Sequence, residues 1–190
     1  AFMSLNRLVE HIFGYLRHRG NTAFVKNVTG GHEGLTRRAL LYFKTDPLIM
    51  RGLARDYSHG NNWEILEIIR ILNRFGYAVD VIDRSVDDFV PEDVYDLFIG
   101  LGAGNSGKHF GRYAERLPGA VRILFAAGPE PRYSNALVEE RYAEFCKRTG
   151  RQIPAMRTID QVDFGNFLQH TDHIFCIGEA GCFSCDSYSS

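Results

Sequence analysis

Residues 95–108 read Tyr-Asp-Leu-Phe-Ile-Gly-Leu-Gly-Ala-Gly-Asn-Ser-Gly-Lys. An apolar run with the character of a buried strand meets four glycines, Gly100, Gly102, Gly104 and Gly107, and a helix-like segment follows from Lys108 towards Leu117. Strand, glycine loop and helix in that order is how α/β proteins build an anion site. Backbone amides approach a phosphate closely only where side chains are absent, and a helix start adds unpaired N–H groups and a favourable dipole. The same glycines also suit a tight turn at the carboxyl end of a strand.

Two motif patterns overlap on this stretch, and each lacks a part. Gly102, Gly107 and Lys108 match the glycine and lysine positions of a nucleotide-triphosphate loop, but His109 stands where a Ser or Thr hydroxyl would hold magnesium. Gly102, Gly104 and Gly107 match the dinucleotide fingerprint, yet the next strand offers only Glu130, in a turn, as a ribose-binding acid. Asp83 ends an earlier strand, but the long segment before its helix is not the tight glycine turn such a contact requires, so Asp83 reads as a solvated strand end.

Outward from this centre, strands alternate with helices. Apolar runs at 38–43, 77–82, 121–127 and 173–177 have the pattern of strands buried on both faces. Residues 61–75 form the clearest helix: Ile65, Ile68, Ile69 and Leu72 share a face, Asn61 and Glu64 make a capping-box pattern, and Gly76 stops it. A charged helix is expected over 135–149 and another over 159–168. The pattern predicts an α/β fold, a parallel sheet flanked by helices, in a single domain spanning 38–177. Its ligands should gather at the carboxyl ends of the strands. The segment 44–60, with a short helical turn near 47–53, is of the length that loops reach for function.

Before this domain, residues 1–37 comprise an amphipathic helix and a polar connector. Leu5, Leu8, Val9, Ile12 and Leu16 recur at helical spacing within 4–18. A basic face on that helix makes membrane association a weaker alternative to ordinary packing. After the domain, 178–190 is small and polar and reads as a flexible tail. Cys182 and Cys185, with Cys176 and His173, have spacing that suits a tetrahedral metal, but His173 and Cys176 fall on opposite faces of one strand, so no metal site is assigned.

A formal net charge of −1 over 190 residues excludes a general electrostatic pull on nucleic acid. With 45% hydrophobic and 24% charged residues the chain has the composition of a globular domain. No apolar run is long enough to span a bilayer, and four cysteines without a secretory signal point to a cytoplasmic setting.

The stretch Ser58-His59-Gly60-Asn61-Asn62-Trp63-Glu64, opening a helix that runs into Gly76-Tyr77-Ala78-Val79-Asp80-Val81, resembles the start of nucleotide-sugar-dependent glycosyltransferases of the GT-B fold, group 1-like. The resemblance covers 38–177 and implies the Rossmann-like amino-terminal half, which mostly holds the acceptor. It implies transfer of a hexose to a saccharide, lipid-linked or other hydroxyl acceptor, with the donor bound by a further domain. His59 or Glu64 would then orient the acceptor hydroxyl as catalytic residues. Asn61 and Asn62 would bond sugar hydroxyls, and Gly102, Gly104, Asn105, Ser106, Gly107 and Lys108 would hold an anionic group. No cofactor is implied. The other readings of the glycine stretch are a non-catalytic phosphate- or nucleotide-binding module centred on 102–108, and a nucleotide-triphosphate-dependent kinase or ATPase.

Overall fold

The computed structural model describes residues 23–49, 60–102, 109–159, 168–177 and 183–188. Strands are set by aliphatic and aromatic runs: β1 (Phe24–Val28), β2 (Arg37–Phe43), β3 (Tyr77–Asp83), β4 (Leu97–Leu101), β5 (Val121–Ala126) and β6 (His173–Cys176). Helices are α1 (Asp46–Ile49), α2 (Gly60–Arg74), α3 (Phe110–Glu115), α4 (Pro131–Thr149) and α5 (Phe183–Asp186). The chain is α/β and Rossmann-like, its strands mostly parallel and flanked by helices. It divides into two compact units, the second starting at Asp87.

In the first unit β2 and β3 run parallel, in register from Arg37 opposite Tyr77 to Phe43 opposite Asp83. β1 adds to the free side of β3 in the antiparallel sense. That strand lies in the stretch expected to be a connector. Its register slips between Val25 and Val28, and Asn27 takes a left-handed φ of 56°. A bulge of this kind breaks the alternation by which strands are recognised. The slip aims the Asn27 amide at the fully buried Asp80 on β3, donating to Oδ1 at 2.7 Å while Arg38 donates to Oδ2 at 2.6 Å. A carboxylate so deeply buried needs such donors.

α2 covers β3 with Ile65, Ile69 and Leu72, as the periodicity requires. The Asn73 side-chain amide donates to Val28 O and Tyr77 O and fastens the end of the helix to β1 and β3. Gly76 then ends the turn with φ +86°, a conformation that glycine adopts without strain.

In the second unit β4, β5 and β6 are parallel, with Leu97 opposite Val121 and Ile123 opposite His173. α4 starts four residues before its expected position. Pro131 occupies the first turn, where no N–H is needed, and the Glu130 carboxylate caps it by accepting from the Tyr133 amide at 2.9 Å. The expected loose tail is held in part. Ser187 Oγ accepts from the Glu130 amide, and the Tyr188 hydroxyl donates to Gly128 O. Burial pushes the Tyr188 phenol up, so it stays protonated as a donor.

Candidate functional site

The rim formed by the carboxyl ends of β2 and β3 is braced by one side chain. Asp83 accepts from the amide and hydroxyl of Thr45 with Oδ2, at 3.0 and 3.2 Å, and from the amide and hydroxyl of Ser85 with Oδ1, at 2.9 and 2.5 Å. Burial acts to raise this carboxyl, but the bonds from Ser85 and Thr45 outweigh it and hold Asp83 below its ordinary value. It is therefore no solvated strand end. It ties together the segments that leave two neighbouring strands.

Glu64 belongs to α2. The capping-box pattern placed it third in the helix, but α2 already begins at Gly60, so Glu64 lies a full turn in and misses the amide that the motif would offer. Its Oε1 lies 4.0 Å from where a Cβ on Gly60 would sit. Its Oε2 is buried and has no hydrogen-bond partner among the described residues. A carboxylate oxygen withdrawn from water without a donor is unfavourable by about 1–3 kcal/mol, more when charged, so such an atom calls for a donor from water, from the chain or from a ligand. A ligand hydroxyl is one such donor.

Of the other residues expected here, Asn62 is half-buried in the first turn of α2, beside the backbone of Asn61. His59 lies outside the described residues, as do Gly104, Asn105, Ser106, Gly107 and Lys108. Gly102 is described, and its surroundings account for it by packing. A Cβ there would fall 1.9 Å from Leu124 Cδ1, and its amide donates to Phe125 O at 3.0 Å. Gly100 is similar: a Cβ would fall 2.3 Å from Phe110 Cδ2. The absence of a side chain at Gly100 lets Phe110 of α3 press onto β4 and stack on Phe98, with ring centroids 5.1 Å apart.

Three side chains, of which only His109 was singled out in the sequence, hold the segment before β4 against α3. His109 Nε2 and Asp87 Oδ1 share a hydrogen bond of 2.9 Å, Arg112 donates to Asp87 O, and Arg116 donates to Asp88 Oδ1 and Phe89 O. Their spacing of three and four residues across α3 and its two caps was the available signal. So His109, at the magnesium-ligand position of the triphosphate motif, is committed to an aspartate. Glu130, the ribose candidate, is buried and spent on capping α4 and bonding Arg132 at 2.7 Å.

A cavity of about 300 Å³ lies beside β1, bounded by residues 25–31 and Leu48. None of the expected site residues lines it, and all its lining residues but Leu48 belong to β1 and the turn after it. No family model, curated protein or solved structure matches the chain. Among the described residues no group of three or more His, Cys, Asp or Glu is placed to hold a metal, and no helix is long and apolar enough to cross a membrane.

Proposed function

We propose that the chain is the acceptor-side domain of a nucleotide-sugar-dependent glycosyltransferase, one that moves a hexose to a hydroxyl acceptor when a donor-binding domain completes it. The reading is supported by one observation above the others: Glu64 Oε2, buried without a donor among the described residues, one turn into α2. An acceptor hydroxyl supplies the missing hydrogen bond. In return the carboxylate would orient that hydroxyl and take its proton as the oxygen attacks the anomeric carbon, while the bond from that carbon to the phosphate oxygen breaks and the nucleoside diphosphate leaves with the electron pair on the donor-binding domain. Asn61 and Asn62, one and two residues into the same turn, are the companions that would read neighbouring sugar hydroxyls. The anion-binding module centred on 102–108 gains less support, because Gly100 and Gly102 serve packing and the Gly102 amide is already bonded.

The test is transfer of radiolabelled hexose from a panel of nucleotide sugars to saccharide and lipid-linked acceptors, with a donor-binding domain supplied as a separate chain. Glu64→Gln keeps the shape and removes the base, and should lower transfer by about 10²–10⁴-fold. Full transfer by Glu64→Gln, or the lack of transfer with every donor and acceptor, overturns the proposal.

A further inference from the structure

α2 opens on a glycine that neither its backbone nor its packing requires. Gly76 has a left-handed φ, and Gly100 and Gly102 are pressed by neighbours, but Gly60 has no left-handed φ. It is exposed, and among the described residues a Cβ on it would meet only Glu64 Oε1, at 4.0 Å. A glycine weakens a helix, and where nothing else calls for one it leaves room for a ligand to come close. Two side chains border that room. Trp63 and Glu64 stand three and four residues beyond Gly60, the spacings that make neighbours on a helix, and helical side chains lean over the turn before their own. Trp63 is 54% exposed, which leaves more than half of an indole in water.

We infer that Trp63, Gly60 and Glu64 seat a pyranose ring, one face of it stacked on the indole and a hydroxyl of its rim donating to the carboxylate. This rests on the acceptor-side reading above and narrows it to a substrate class, a cyclic saccharide. A pyranose carries C–H bonds on its faces and hydroxyls around its rim, so one molecule answers both borders. The indole takes the apolar face out of water, and the charged carboxylate accepts from the rim. A lipid alcohol and an open-chain polyol offer the same groups on freely rotating bonds, and lose more freedom on binding than a rigid ring does.

Trp63 is the only tryptophan in the chain, so its emission reports the contact directly. Titration of the full chain with maltose, cellobiose, lactose and chitobiose should give, for at least one of them, a saturable blue shift and protection from acrylamide, which sorbitol and octanol do not give. By calorimetry Trp63→Ala should weaken that binding by about 10-fold, with most of it recovered in Trp63→Phe. Gly60→Leu should abolish it with an unchanged melting temperature, since the position is open. Emission that no saccharide moves, or that sorbitol or octanol moves equally, overturns the inference. So does saccharide transfer that Trp63→Ala leaves intact, a result in which the acceptor-side reading stands. The converse separates the two as well: a saccharide that shifts Trp63 and loses affinity in Trp63→Ala, yet is never glycosylated with any donor, supports the ring site and overturns the transferase reading.

Discussion

Two strand-to-helix handovers in this chain use opposite means. In the first unit β2 leads to α2 through the long polar segment 44–59, and α2 rests on β3 through ordinary aliphatic side chains. In the second unit β4 leads to α3 through a glycine cluster, and α3 is only six residues long but sits so close that Phe110 occupies the space a side chain at Gly100 would need. The polar segment ends at a carboxylate oxygen without a donor, whereas the described glycines end in filled contacts. Glycine at a strand's end has two uses, bringing a ligand close or bringing a helix close, and here the neighbours of Gly100 and Gly102 select the second.

The contrast breaks first at Phe110. It is fully buried and stacked on Phe98, so Phe110→Ala should lower unfolding free energy by about 3–5 kcal/mol in urea titration. A loss under 1 kcal/mol would mean that α3 does not depend on close approach to β4. Gly102→Ala comes next. Its methyl collides with Leu124, which is fully buried, and overpacking of this kind costs about 1–3 kcal/mol. Gly119→Ala is the matched control, because nothing lies within 4 Å of a Cβ there, and its stability should stay within about 0.5 kcal/mol of the parent. Equal stability losses for the two glycine variants would remove the packing account.

Acid provides the smallest separation. Asp83 braces the first unit and is held below its ordinary value, so its contribution is complete above about pH 4 and fades as pH falls through the lowered value. In the second unit the hydrogen bonds of the Arg122 guanidinium and amide, the side-chain bond first, lower Asp172 to about 2. That contribution is present above about pH 4 and is lost between there and about pH 2. The pair is partly exposed, which limits it to less than about 1 kcal/mol. Thermal melts of Asp83→Asn and Asp172→Asn across that range should each show a shallower acid-side decline than the parent, the first by the larger amount. Unchanged slopes would deny both roles.

Most of the strands were legible because β2 to β6 are apolar runs bounded by turns, and the stop of α2 at Gly76 was legible because only one backbone conformation suits it. β1 was not, since Lys26 and the bulge at Asn27 interrupt its alternation. The start of α4 was missed because Pro131 reads as a breaker unless Glu130 is known to cap it. At the candidate site, the capping pattern and the resemblance brought out Glu64, but the helix starts at Gly60, two residues earlier than that pattern suggested. The glycines were ambiguous for a different reason: their sequence is the same whether a phosphate or Leu124 fills the space.

The proposal that the first unit binds the ligand rests on the Glu64 carboxylate. Calorimetric titration with an acceptor saccharide that binds the parent chain is its most direct measurement. Glu64→Gln should weaken that binding by about 10-fold or more, the worth of one charged hydrogen bond, while its unfolding free energy stays within about 1 kcal/mol of the parent. Undiminished binding by Glu64→Gln, with Gly102→Ala losing affinity while still folded, would contradict the account and move the site to the glycine cluster.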